Sequence, residues 1–396
     1  MPLRRSLLAL ALGLVFAVGL LEGTLRGIGL FHGEMYRANI LPLWEATTDL
    51  RPFALRANFQ YRLRTPDFDM QIRTNDGGLR EDRSMAELLA GERRILVMGD
   101  SQTFGYGVNV GERYSDLLQA GAPPGTTVFT TGYANGFSPV DYAGYLRTTF
   151  DTFRPELVIV GLFPENDLIA DVRARTVIRD AAGDIIGTAL NGARVVDGYL
   201  TGSTAPASWA GRTLVRCKNW VWGHSAVYRL AEQARTAVRA RRQPDQGNTQ
   251  IPGLFFGERA SEPEIGVTLD ALVQMHRFLA AKGSALLVVI IPSNFQIAAR
   301  YESSVTSRPG YQATPAQMAS ARWFGADHTR PVLFSLQEDI TRRLKAQGVR
   351  VVDPAAQFVW AEQAGTRLYF AYDGHLTREG HRVLAEVIST RLGTED

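Results

Sequence analysis

Short, unbroken apolar runs recur along this chain, and they constrain its fold more than any other feature. The clearest are 95–98 in RILVMGDSQTFGYG, 157–162 (LVIVGL) and the run SALLVVIIP that ends at Pro292. A strand buried on both faces, as in a parallel sheet, reads as such a run. Residues 127–130 and 349–352 read as two further strands. Helical periodicity fills the intervals at about 113–120, 142–153, 266–281, 333–347 and 378–392, with Val383, Leu384, Val387, Ile388 and Leu392 as the inward stripe of the last. Strand-helix alternation of this kind predicts an α/β fold, a parallel sheet of about five strands with helices on both faces.

That architecture says where to look for chemistry. Open α/β sheets bind ligands in the crevice beyond the carboxyl ends of their strands. The first strand runs straight into Gly99-Asp100-Ser101. Ser101 stands where a nucleophile would stand, although a phosphate cradle or a plain tight turn uses similar residues. TGYANGFSP follows the second strand, and Gly136 there can turn the backbone and aim an N–H outward; the alternative is an ordinary turn. GLFPENDL follows the third strand, with Asn166 as a side-chain donor or, together with Asp167, a helix cap. FAYDGHLTREGH follows the fifth, with Asp373 and His375 two residues apart and Thr377 as the N-cap of the final helix. A serine hydroxyl needs a base to take its proton, an imidazole needs a carboxylate to orient it, and a tetrahedral oxyanion needs fixed donors. Ser101, His375 and Asp373 fit the first two needs. The Ser101 N–H, the Gly136 N–H and the Asn166 side chain fit the third.

These four blocks resemble the SGNH, or GDSL, hydrolase family. GDSQTFG matches its first block at Ser101, NGFS its second at Gly136, END its third at Asn166, and DGHLTREGH its last at Asp373 and His375. The resemblance spans about 90–395, apart from an insertion. It implies a flavodoxin-like three-layer αβα sandwich, a Ser101-His375-Asp373 triad and an oxyanion hole of Ser101, Gly136 and Asn166. It implies no cofactor. Two departures stand out. Pro164 occupies the glycine place of the usual Gly-x-Asn-Asp, and the Asp-x-His spacing is one shorter than is common. That spacing resembles the anchored, polysaccharide-modifying branches of the family, and it leaves Asp353 open as another carboxylate to orient His375.

The rest of the chain supplies context. Arg4 and Arg5 precede fifteen uncharged residues, 7–21, and a milder apolar stretch continues to Phe31. Segment 1–31 is therefore an N-terminal transmembrane anchor or signal segment. A small-x-small site is found only inside the core, at Ala17-Val18-Gly19, which favours an uncleaved anchor with its basic end in the cytoplasm. Residues 32–90 form a lead-in with a hairpin, in which Phe59, Tyr61 and Leu63 alternate, as do Phe68, Met70 and Ile72. The hydrolase domain is 91–396, with an insertion at about 171–262 that carries strand-like pieces near Val177 and Val195. Trp209, Trp220 and Trp222 in that insertion read as core residues, with a sugar site as the alternative. Arg229, Arg235, Arg239, Arg241 and Arg242 read as a solvated helix face, with a contact to anionic lipid or polymer as the alternative. His381 reads as a surface or capping residue.

The exclusions follow from composition. The net charge is only +3 and the charges are mixed, so no nucleic-acid partner is expected. Cys217 is the single cysteine, which rules out an intramolecular disulfide and a multi-cysteine metal site. His32, His224, His276 and His328 lack ligand spacing, and no metal is expected. The family resemblance and the N-terminal anchor together imply an esterase anchored in a bacterial inner membrane, with its body in the periplasm or outside the cell. By the same resemblance its substrate would be an O-acyl ester, such as O-acetyl, on a cell-surface glycan, or a lipid ester. The alternatives are an O-acyltransferase using the same acyl-enzyme and a non-catalytic glycan-binding or assembly factor. The oligomeric state is left open.

Overall fold

The computed structural model describes residues 2–28, 42–47, 50–64, 67–133, 136–196, 198–202, 209–228, 230–231, 234–235, 254–255, 261–297, 335–370 and 374–393. Helix α1 (Pro2–Gly27) opens the chain. Its segment Leu8–Gly27, with mean hydropathy 2.1, is long and apolar enough to cross a membrane, and its side chains are almost all exposed. Strands β1 (Gln60–Arg64) and β2 (Asp69–Arg73) then form the antiparallel hairpin, with Tyr61 opposite Ile72 and Leu63 opposite Met70. Alternation puts Leu63, Met70 and Ile72 on one buried face.

The α/β body follows. In chain order it comprises β3 (Arg93–Gly99), α2 (Ser101–Phe104), α3 (Tyr114–Ala120), β4 (Thr126–Thr130), α4 (Pro139–Phe153), β5 (Leu157–Leu162) and α5 (Pro164–Asp167). Between α5 and the next body helix the chain forms the hairpin β6 (Arg175–Arg179) and β7 (Ile185–Leu190) and helix α6 (Trp209–His224). The body resumes with α7 (Pro263–Ala281), β8 (Ala285–Ile290), α8 (Ser335–Lys345), β9 (Arg350–Val352), α9 (Ala355–Gln363) and α10 (Arg378–Gly393).

Five strands form one sheet in the order β9-β8-β5-β3-β4, and every pairing is parallel. Side chains alternate between its faces. Leu96, Met98, Val158, Val160, Val288 and Ile290 pack with α4, α7 and α8 on one side. Val97, Ile159, Leu287 and Val289 pack with α3, α9 and α10 on the other. The result is the expected three-layer αβα sandwich. Counted along the sheet, the strand order is 2-1-3-4-5. Its switch point lies between β3 and β5, where successive crossovers leave in opposite directions and open a crevice.

Several local readings change with the structure. Helix α4 starts at Pro139, earlier than its apolar periodicity indicates. The Ser138 N–H donates to the Asp141 carboxylate at 3.0 Å, and proline suits the first helical turn. Helix α9 was not foreseen; its start is capped by Asp353, which accepts the Ala355 N–H at 3.0 Å. Trp209 and Trp220 are not core residues: they are 75% and 64% exposed. His381 is not a surface residue. It is buried between α10 and α3, where its Nδ1 accepts the Tyr114 N–H at 3.3 Å and so caps α3 rather than its own helix. The Trp222 side chain and the Arg229, Arg239, Arg241 and Arg242 positions lie outside the described residues, while Arg235 is exposed.

Candidate active site

Ser101 is the first residue of α2, directly after β3. The Asp100 carboxylate caps this turn by accepting the Gln102 N–H at 3.0 Å. Gly105 ends it in the left-handed conformation. One helical turn between two fixed ends leaves the Ser101 side chain half-buried at the sheet edge, within reach of solvent.

His375 arrives from the far end of the chain. Its Nε2 lies 2.8 Å from Ser101 Oγ, across 274 residues of sequence. Main-chain and side-chain bonds set that approach. The Phe370 N–H donates to the His375 carbonyl at 2.9 Å, and Tyr369 and Leu376 form an antiparallel bridge. The Leu376 N–H donates to Gln102 Oε1 at 3.1 Å, which ties the histidine loop to the serine turn. The Tyr106 ring flanks the imidazole at 4.7 Å between centroids. The hairpin buttresses this wall: Phe68 of the β1–β2 connection packs on Tyr106 and on Phe370. Gly374 has φ +88°, and a Cβ there would sit 2.9 Å from Asn294 Nδ2. The positive φ favours glycine just before the histidine. Asp373 lies outside the described residues.

Asn166 sits on α5, across the switch point from Ser101. Its Nδ2 donates to Asp100 Oδ2 at 3.2 Å, which joins the end of β5 to the end of β3. Pro164 fits in the glycine place because it is the first residue of this helical turn, where its missing N–H costs nothing. Asp167 braces the same turn by accepting the Phe163 N–H at 2.8 Å. Gly136 adopts φ +52° and is partly exposed; Arg175 Nη2 donates to its carbonyl, and a Cβ there would lie 3.0 Å from Asp171 Oδ1. The structure thus brings Ser101, His375 and Asn166 to one strand-edge crevice, with Asp100 linking the serine turn to Asn166. Asp353, exposed, serves as the local cap of α9.

Buried acids cluster electrostatically around Asp100. Burial pushes Asp100 up to about 6, against the pull of the Gln102 N–H, the charge of His375 and the Asn166 amide. Burial, with Asp100 and Asp171 nearby, holds Asp167 well above the usual carboxylate range. Burial lifts Asp171 to about 8 although Arg175 opposes it. Asp141 takes Arg175 directly, at 3.0 Å. Such crowding of carboxyl groups favours neutral forms beside the site. Sequence reading missed Gln102, Ser293 and Asn294. Nothing in the local pattern marks Gln102. Ser293 and Asn294, by contrast, follow β8 at the same carboxyl edge as the other blocks, and that position was a usable signal. The Ser293 hydroxyl donates to Glu165 Oε2 at 2.6 Å, next to Asn166 in sequence.

Chemically, an imidazole nitrogen at hydrogen-bond distance from a half-buried serine hydroxyl can remove its proton as that oxygen attacks. Among the described residues no group of three or more His, Cys, Asp and Glu forms a metal-binding cluster.

No protein-family model and no curated protein matches the chain. Several solved structures align with it. One is a putative acylhydrolase from Bacteroides fragilis, with 14% identity, 78% of this chain and 93% of that one covered, and a TM-score of 0.37. A GDSL-like lipase from Bacteroides thetaiotaomicron aligns at 12% identity over 77% and 90%, with a TM-score of 0.36. A psychrotrophic esterase from Pseudoalteromonas aligns at 10% identity over 76% and 98%, with a TM-score of 0.35. Likeness at this level carries no argument here; the chemistry rests on the distances above.

Proposed function

We propose that this chain is a serine ester hydrolase that works through an acyl-enzyme. The observation that carries the reading is the 2.8 Å contact between His375 Nε2 and Ser101 Oγ at the switch point of the sheet. Ser101 Oγ attacks the ester carbonyl carbon while its proton passes to His375 Nε2. The carbonyl π pair moves onto oxygen, where the Ser101 N–H, the Gly136 N–H and Asn166 Nδ2 are the proposed donors. Collapse expels the alcohol, which takes the proton from His375, and leaves an acyl-Ser101 ester. Water, deprotonated by His375, repeats the sequence and releases the acid. Asp373 is the proposed partner of the imidazole Nδ1.

In this reading α1 is an uncleaved anchor that holds the domain on the outer side of a bacterial inner membrane. The substrate is an acyl ester, O-acetyl included, on a surface glycan, or a lipid ester. The exposed apolar segment Leu8–Gly27 supports the anchor. A fluorophosphonate, which reacts with activated serines, tests the chemistry. The full-length protein should be labelled, and Ser101→Ala and His375→Ala should each abolish labelling while remaining folded by circular dichroism. Labelling that survives Ser101→Ala would overturn the assignment.

A further inference from the structure

Helix α6 carries an apolar face that the catalytic reading does not use. At 3.6 residues per turn, Trp209, Leu214, Cys217 and Trp220 fall within an arc of about 140°. Trp209, Leu214 and Trp220 are 75%, 70% and 64% exposed, and Cys217 is exposed as well. Lys218, also exposed, flanks this arc. Three large apolar side chains left in water on one short helix call for a partner surface.

The end of α6 indicates which surface. The carboxylate of Glu22, near the C-terminal end of α1, accepts bonds from Ser225 Oγ at 3.0 Å and from the Ala226 and Val227 N–H groups at 2.8 and 3.0 Å. Arg26 donates to the His224 carbonyl, and buried Leu25 packs with Ala226. The same helix α1 leaves residues 8–21 exposed. Among the described residues, those after α6 grip α1 at its last turns, where its apolar segment ends; with α1 as a span, the lipid headgroups begin at that level. Tryptophan is enriched at that level, and a lysine can reach the phosphates from it.

We infer that α6 is an interfacial helix that lies against the lipid headgroup region beside the exit of α1, with the Trp209–Leu214–Trp220 face in the bilayer. The inference rests on reading α1 as a membrane span. It gives the domain a second point of attachment and so a fixed orientation over the bilayer, which a single flexible tether does not provide.

The lone cysteine makes the test direct. The full-length protein is labelled at Cys217 with an environment-sensitive fluorophore and reconstituted in vesicles of phosphatidylcholine and phosphatidylglycerol, with or without brominated acyl chains. The expected result is at least twofold quenching by bromolipid and little by aqueous iodide. The triple change Trp209→Ser, Leu214→Ser and Trp220→Ser should restore iodide access. A label open to iodide and untouched by bromolipid overturns the inference. A label shielded from both also overturns it, because a protein surface or a second copy then covers the face. A companion protein, Val15→Cys with Cys217→Ser, reports on the anchor. Quenching at 15 without quenching at 217 leaves the anchor reading intact and removes only the interfacial helix; quenching at neither removes both.

Discussion

Ser101 takes its position from its neighbours on each side in the chain, whereas His375 takes its position from contacts brought in from afar. Asn166 has two roles carried by one amide group. Its amide donates to Asp100, which braces the crevice, and it is the proposed side-chain donor to the oxyanion. Loss of one oxyanion donor lowers kcat by about 10²–10³-fold. Asn166→Ala should therefore lower kcat for p-nitrophenyl acetate by about that factor with little change in KM. Steady-state kinetics check this, and an unchanged kcat would remove Asn166 from the oxyanion site. His375→Ala removes the base and should cost about 10²–10⁴-fold in the same assay.

At the scale of elements, the site is a junction of strand ends held together by polar ties. Gln102 on α2 holds the loop before α10 by accepting the Leu376 N–H. Both groups are buried, and an orphaned buried N–H costs about 1–3 kcal/mol. Gln102→Leu should lower the unfolding free energy by an amount in that range, read as a lower urea midpoint. It should also lower kcat more than it raises KM, because the imidazole loses its fixed approach to Ser101. Paired unfolding and kinetic measurements test this, and a stable variant with full kcat would show that the tie is dispensable. The same scale explains the Pro164 departure. A helical turn begins there, so proline serves where another loop geometry would need glycine.

For the molecule as a whole, buried titratable groups shape the pH dependence of stability. The folded-state pKa of Asp171 is raised to about 8 by burial, so the folded protein holds a proton that the unfolded chain has released. The stability this contributes is present below about pH 4 and is lost as pH rises through about 8. His381 acts in the opposite sense. Burial lowers it to about 3, so its contribution is present above about pH 6.5 and is lost as pH falls through about 3. Between pH 6.5 and 8 Asp171 acts in the same sense as Asp167, which burial also raises, while Asp100 has its midpoint near 6. Asp171 by itself should lower the unfolding free energy by about 2 kcal/mol across that interval, from one proton at about 1.4 kcal/mol per pH unit, and Asp167 adds to the drop in the same sense. Asp171→Asn, which mimics the neutral acid, should shrink the drop. Urea unfolding at pH 6.5 and 8 measures it, and an equal drop in the variant would assign the effect elsewhere. The anchor belongs to this scale too. The full chain should stay with membranes through carbonate extraction, and release into the soluble fraction would argue against a span.

The sequence by itself determined the elements and their order. Runs such as LVIVGL state both their burial and their length, and β5 spans those same residues. The blocks that end in Ser101, Asn166 and His375 were legible because each follows an apolar run or precedes an amphipathic helix, which are patterns carried within a few residues. The tertiary structure decided which elements lie side by side. The strand order that puts β3 against β5, and so makes a crevice between Ser101 and Asn166, depends on pairings between segments dozens of residues apart. No local window contains that information. The same reason accounts for His381, whose burial depends on α3, and for Gln102, whose partner lies 274 residues away. Trp209 and Trp220 make the point in reverse. Their composition says apolar, but whether an apolar side chain is core or surface depends on what packs against it, and here α6 leaves them in the open.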